Sequence, residues 1–169
     1  MNSDRHLLVD LFNRMSAQSV YLRFLRRLDA LPENRIDKLL TINFHSDYAL
    51  VAVVSENEKK SIIAVGRYGY DPDEGGTDLA VAVRDDWQQA GLGKVMLSEV
   101  VIIAKDHGII CFTGIMDPQN KTIQKLLVKI PLPLGLGQFS PVMNLFMDTS
   151  SRFFMLSASS LECASPCAW

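Results

Sequence analysis

At 169 residues the chain is one domain by length, large enough to bury a core without disulfides or metals. Its 17 Lys+Arg against 19 Asp+Glu give a net charge of -2, and no basic run is long enough to track a nucleic-acid backbone, so nucleic acid is not an expected partner. An odd count of three cysteines, with Cys163 and Cys167 too isolated to argue for metal, suits a reducing cytoplasm, as does an amino terminus without the long apolar stretch of a signal peptide.

In chain order, Leu7, Leu8, Leu11 and Phe12 share one side of a predicted helix that begins near Asp4 or Arg5. Ser16 or Ser19 caps a second helix through Leu28, on which Arg23, Arg26 and Arg27 form the only basic cluster and read as a solvated face. Residues 32–40 make a third, short helix. Residues 48–54 and 61–70 are β-rich on either side of a polar turn, which predicts a hairpin. Asp71-Pro72-Asp73-Glu74-Gly75-Gly76 is a dense turn signal before an apolar strand over residues 79–83.

The next helix spans about residues 91–107, with Val95, Met96, Val100, Ile103 and Ala104 inward and Gly108 as its stop. A strand over residues 109–116 follows, and Asp117-Pro118 opens a helix striped by Ile123, Leu126 and Leu127. Antiparallel hairpin strands followed by a right-handed β-α-β crossover predict an α/β (α+β) fold, a mixed, mostly antiparallel sheet flanked by helices. The domain is expected to cover residues 1–130, leaving 131–169 as an atypical tail with incomplete or degenerate last strands. Residues 130–147 carry no charge, but their prolines and glycines exclude a membrane span. Phe153-Phe154-Met155-Leu156 reads as one further strand.

Chemistry concentrates at Gln88-Gln89-Ala90-Gly91-Leu92-Gly93-Lys94, where a glycine-broken turn joins a strand to a helix. Glycines let the backbone approach a bulky anion, the free amides and dipole of the helix's first turn attract negative charge, and Lys94 adds a cation. A P-loop is excluded, because Gln88 stands where its first glycine belongs and Val95 where its magnesium-binding hydroxyl belongs. A dinucleotide fingerprint fails too, since the third glycine position falls on Met96.

The remaining pattern, Gln88-x-x-Gly91-x-Gly93 after a strand, resembles the pyrophosphate loop of the GNAT superfamily of acyl-CoA-dependent N-acyltransferases. The resemblance covers roughly residues 15–129. The run from Thr77 through Asp78, Asp85, Asp86 and Trp87 to Gly93 is similar to the domain attached to acyl-CoA-synthetase-like modules in bacterial protein lysine acetyltransferases. Ser19-x-Tyr21-x-Arg23-Phe24 resembles a segment of the same subgroup, and Asn120-x-x-Ile123-x-x-Leu126 a helix of the superfamily. The resemblance implies acetyl-CoA or another acyl-CoA as cosubstrate, with no metal. It places the pantetheine arm along Val81, Ala82 and Val83 and the pyrophosphate on the turn of Gln88, Gln89, Ala90, Gly91, Leu92, Gly93 and Lys94. Val81 and Val83 serve equally as sheet core, Gln88 as loop polarity, and Asn120 as helix cap or cofactor contact.

An acceptor amine with a pKa near 10.4 needs a base before it can attack a thioester. The subgroup has glutamate where Asp78 stands, so reach shortens by about 1.5 Å. Asp78 is therefore the candidate catalytic base or a turn residue, with Glu74 as the fallback. Leu127 occupies the place of the family's tyrosine acid, and the family's last strands are replaced after Lys129 abruptly enough to suggest a frameshifted or truncated coding sequence. Two readings follow. One is an N-acetyltransferase working by direct attack in a ternary complex, with protein lysine or a small amine as acceptor and an acyl-CoA-synthetase-like protein as partner. The other is a non-catalytic acyl-CoA-binding module or remnant.

Overall fold

The computed structural model describes residues 4–44, 46–71, 76–109, 111–130, 134–139 and 142–148. Three helices come first, α1 (Arg5–Asn13), α2 (Ala17–Phe24) and α3 (Glu33–Leu40). The hairpin of β1 (Asp47–Glu56) and β2 (Lys59–Asp71) leads to β3 (Gly76–Val83), a single 3-10 turn (Asp85–Trp87) and α4 (Leu92–Asp106). Then come β4 (Cys111–Met116), α5 (Lys121–Val128), β5 (Leu134–Phe139) and β6 (Val142–Asp148). The strands lie in the order β1-β2-β3-β4-β6-β5, and every neighbouring pair is antiparallel except β3 with β4. The mixed, mostly antiparallel sheet flanked by helices is the expected fold class.

Local chemistry explains the boundaries. Asn57 and Glu58 turn the first hairpin with φ of 51° and 64°, the mirror-image geometry whose twist matches the flanking strands. Ser16 caps α2 by accepting the Ser19 amide at 3.2 Å. This helix ends at Phe24, short of the predicted Leu28, because Leu25 adopts the left-handed conformation and closes on the Tyr21 carbonyl. Leaving the helix lets Leu28 return to pack with Phe12, Val20, Leu31 and Ile36.

The two faces of the sheet hold separate cores. On one, Leu97, Val100, Val101 and Ala104 of α4 and Leu127 of α5 bury Tyr68 and Phe112. Each fully buried leucine or phenylalanine there contributes about 2 kcal/mol. The inward stripe of α4 differs from expectation, with Leu97 and Val101 inside and Val95 56% exposed. On the other face α1, α2 and α3 assemble over Phe12, Val20, Leu31 and Ile36. The uncharged stretch after Lys129 contributes β5 and β6, and β6 pairs with β4 from Cys111 opposite Asp148 to Met116 opposite Met143. The turn residues 72–75, Glu74 among them, and the predicted strand at 153–156 lie outside the described residues.

A cluster of ion pairs around one buried arginine fixes the chain as it leaves β3. Arg84 is 1% exposed, and its guanidinium bonds Asp86 through Nε at 2.6 Å and Nη2 at 2.8 Å. It also donates to both oxygens of Glu56 and to Ser61 Oγ, while Arg14 donates to Glu56 at 2.6 Å and to Ser61 at 3.0 Å. Hydrogen bonds from Arg84 and then Arg14 pull the Glu56 carboxyl down from 4.5 to about 2. Hydrogen bonding to Arg84 likewise holds Asp86 below the usual carboxylate range. Because these carboxyls are depressed in the fold, the stability they contribute is complete above pH 4.5 and is lost as pH falls toward about 2. Urea unfolding followed across that window is expected to show the loss. Arg84→Met, which leaves Glu56 and Asp86 without their central partner, is expected to lower the urea midpoint at neutral pH and to flatten the acid dependence. An unchanged midpoint would remove the cluster from the account.

Candidate functional site

One residue pair joins β3 to β4, Asp78 opposite Thr113. On its other side β3 pairs with β2 along its whole length, from Gly76 opposite Asp71 to Val83 opposite Ala64. Beyond Asp78 the parallel strands diverge. The edge of residues 79–83 facing β4 therefore carries main-chain N–H and C=O groups without a strand partner among the described residues. Five residues of extended backbone make this open edge about 16 Å long. Leu79 and Val81 turn their side chains into the core under α4, and Ala80 and Ala82 face the opposite side of the sheet.

The edge runs to the turn before α4. Among the described residues, the amides of Gln89, Ala90, Gly91, Leu92 and Gly93 have no acceptor, whereas those of Gln88, Lys94 and Val95 bond to Asp85 or Gly91 carbonyls. Gln89 has φ of 63° and Gly91 φ of 85°, so the chain passes twice through the left-handed region and turns successive N–H groups to one side. Such a nest at the positive end of a 15-residue helix is an anion cradle. A Cβ on Gly93 would stand 3.6 Å from Val83 and 3.7 Å from Leu126, so a larger side chain would enter the gap between β3 and α5. Lys94 is exposed at the first turn of α4.

Side chains brace this turn from α2. The Gln88 Nε2 donates to the Val83 carbonyl at 2.9 Å and to Ser19 Oγ at 3.1 Å, so this amide holds the loop to the strand end. Asp85 receives the Ser16 amide at 2.9 Å, the Ser16 hydroxyl at 2.6 Å and the Ser19 hydroxyl at 2.9 Å. Burial pushes the Asp85 carboxyl up, but these bonds outweigh it and hold it below the usual range. The Asp117 carboxylate, just beyond β4, raises the pKa of the Tyr21 phenol. Asn120 caps α5 by accepting the Ile123 amide at 3.1 Å, which gives its oxygen to the cap and leaves its Nδ2 group without a protein partner among the described residues. Leu127, at the family's tyrosine position, is buried in the core.

Asp78 is exposed at the closed end of the gap. Strand register sets it in one row with Gly69 and Asp47, and the next row is Ala80, Arg67 and Ala49. Arg23 of α2 lies over this face. It is half-buried, unlike the solvated arginine expected from the sequence, because α2 ends early and lays it over the Phe24 ring, 5.2 Å from the centroid. Burial lowers its pKa and the Asp78 charge opposes that shift. No motif includes Asp47 or Arg67, and the run that contains Asp85 gives it no role. Only strand register reveals the first two, and Asp85 looks in sequence like ordinary loop charge. Among the described residues no group of three or more His, Cys, Asp or Glu side chains is arranged to hold a metal ion, and no helix is long and apolar enough to cross a membrane.

A family model described as the acetyltransferase (GNAT) family matches residues 15–129. An acetyltransferase of Pseudomonas aeruginosa is 26% identical over 123 residues, and the match spans 73% of this chain and 66%, just under two thirds, of that relative. The GNAT domain of S. lividans PAT superposes with a TM-score of 0.76 at 22% identity, covering 86% of this chain and 85% of that one. A Salmonella typhimurium protein solved with its cofactor acetyl-CoA gives 0.65 at 15% identity, covering 93% and 95%. Ribosomal-protein-alanine N-acetyltransferase from Brucella melitensis gives 0.61 at 20% identity, covering 87% and 94%. These structures establish a shared fold, and the family match covers well over half of the sequence: the chain belongs to the acetyltransferase (GNAT) family.

Proposed function

We propose that the protein is an N-acetyltransferase that moves an acetyl group from acetyl-CoA to an amine by direct attack in a ternary complex. The observation that carries this reading is the continuity of the open β3 edge with the nest of free amides at residues 89–93. An extended pantetheine arm is a chain of amides that can take the place of the missing strand along Val81, Ala82 and Val83. Its pyrophosphate then meets the amides of Gln89, Ala90, Gly91, Leu92 and Gly93, with Lys94 beside them and Asn120 across the gap. Gln88 supports this contact by fixing the turn.

Acetyl-CoA supplies the acyl group as a thioester. At the closed end of the gap the Asp78 carboxylate is exposed to solvent and to an incoming acceptor. It takes one proton from the acceptor ammonium, directly or through a water; the freed nitrogen attacks the thioester carbon, its second proton passes to water, and the carbon–sulfur bond breaks with the sulfur leaving as thiolate. With Leu127 buried where other members carry a tyrosine, no side-chain acid is assigned to the leaving sulfur, and a thiolate departs without one.

Two measurements test separate halves of this reading. Gly93→Leu is expected to weaken CoA binding by about tenfold or more in isothermal titration, with the unfolding midpoint close to wild type; retained affinity would count against the amide cradle. Asp78→Asn is expected to bind CoA normally and to release thiol from acetyl-CoA about 10² to 10⁴ times more slowly with an amine acceptor. An undiminished rate would move the base elsewhere, and binding without turnover in the unaltered protein would favour a CoA-binding module.

A further inference from the structure

Between the three-helix layer and the sheet a cavity of about 50 Å³ opens over β3, and its wall is almost wholly apolar. Its floor is low because β3 turns only the methyl groups of Ala80 and Ala82 to this face. Val65, opposite Ala82 on β2, stands beside them, and α1 and α3 close the space with Leu8, Leu11 and Leu39. By the usual allowance of about 10–15 Å³ per water, it has room for about three to five water-sized groups, and a methylene is of that size.

The two arginines on this wall, Arg23 and Arg67, contribute their alkyl stems. The Arg23 head faces the Asp78 charge and lies over the Phe24 ring. The Arg67 head lies beside the Asp47 carboxylate over Gly69, where a Cβ would meet both groups. Both charges are therefore answered outside the cavity. Apolar cavities of this kind stay dry and take hydrocarbon guests.

We propose that this cavity receives the acyl chain of the donor, and that the protein takes short-chain acyl-CoAs longer than acetyl, from butyryl to hexanoyl, in addition to acetyl-CoA. Ala80 and Ala82 belong to the same residues 79–83 whose edge is open toward β4, so the cavity floor is the strand along which the pantetheine arm would lie. A ligand in the place of the missing strand sits about 4.8 Å from β3, and its thioester would arrive at the Asp78 end. Asp78 and Ala80 share the face on which the cavity lies, because alternate strand residues do. With bonds of about 1.5 Å a carbon chain advances about 1.3 Å per carbon, so the methyl of acetyl stops short of the cavity and butyryl reaches over Ala80. The four extra carbons of hexanoyl match the room available. An acceptor amine would meet no polar partner there, whereas an acyl chain needs none. This inference rests on the acyl-CoA-binding half of the proposed function and not on Asp78 as the base.

Isothermal titration with CoA and with acetyl-, butyryl-, hexanoyl- and decanoyl-CoA reads the cavity without any acceptor. Affinity should rise about fourfold for each carbon added from acetyl to hexanoyl, the ratio that corresponds to burying one methylene, and should gain nothing more at decanoyl. Val65→Phe, which puts a larger side chain into the space beside Ala82, should erase the butyryl and hexanoyl gains. Its affinity for CoA and acetyl-CoA should stay at the wild-type value, which also shows that the variant is folded. Leu8→Ala, which enlarges the space from α1, should carry the gain past hexanoyl, and it decides the matter if Val65→Phe does not fold. Equal affinity for acetyl- and hexanoyl-CoA, or a chain-length gain that neither variant alters, would overturn the acyl pocket and leave the amide cradle standing. Failure of CoA itself to bind would sink the cradle and the pocket with it.

Discussion

Parallel strands lying side by side would normally bond along their shared length, yet β3 and β4 meet at Asp78 and Thr113 and nowhere else among the described residues. Everything about the site depends on that gap. Unpaired main-chain groups away from water are costly, so an edge left open inside a sheet persists only where something else, solvent or ligand, can satisfy it. The gap is not a loosening of the fold. β2 holds the other edge of β3 over eight residue pairs, and β6 holds the far edge of β4 over six.

The surrounding structure keeps the gap in shape. Arg84, buried between Glu56 and Asp86, ties the end of β3 to the β1–β2 hairpin. Asp85 and Gln88, the neighbours of that anchor, reach the other way to Ser16 and Ser19 at the start of α2. The loop bearing the free amides is thus held by side chains on both flanks, and its own backbone donors stay available. The same helix carries Arg23 to the cavity above Ala80 and Ala82, so α2 joins the turn before α4 to the face of the sheet that bears Asp78. Asp78 then stands at the closed end of the gap, with Arg23 and Arg67 on the same face of the sheet.

Much of this was legible in sequence for physical reasons. Alternating apolar residues flanking Asn57 and Glu58 predict the hairpin, and Gly91 and Gly93 after an apolar strand predict an anion-binding turn because few other residues accept its backbone. The segment Ser19-x-Tyr21-x-Arg23-Phe24 carried the family resemblance, and each of its four residues touches the site or its supports. What escaped was decided by tertiary position. Arg23 looked like solvated charge until the early end of α2 and the Phe24 ring turned it inward. Arg84-Asp85-Asp86 lies in the family-like run, but its roles as anchor and brace are hidden because neither Glu56 nor Ser16 is near it in sequence. Asp47 and Arg67 became neighbours of Asp78 only through strand register across Gly69, which no local pattern encodes.

The most direct measurement is amide hydrogen exchange of the full chain with and without CoA, read residue by residue. If the ligand replaces the missing strand and sits on the amide nest, CoA should slow exchange along residues 81–83 and 89–93, while the β1–β2 hairpin, away from the gap, changes little. Protection confined to other surfaces, with the β3 edge and the turn before α4 exchanging as fast as in the free protein, would contradict the account.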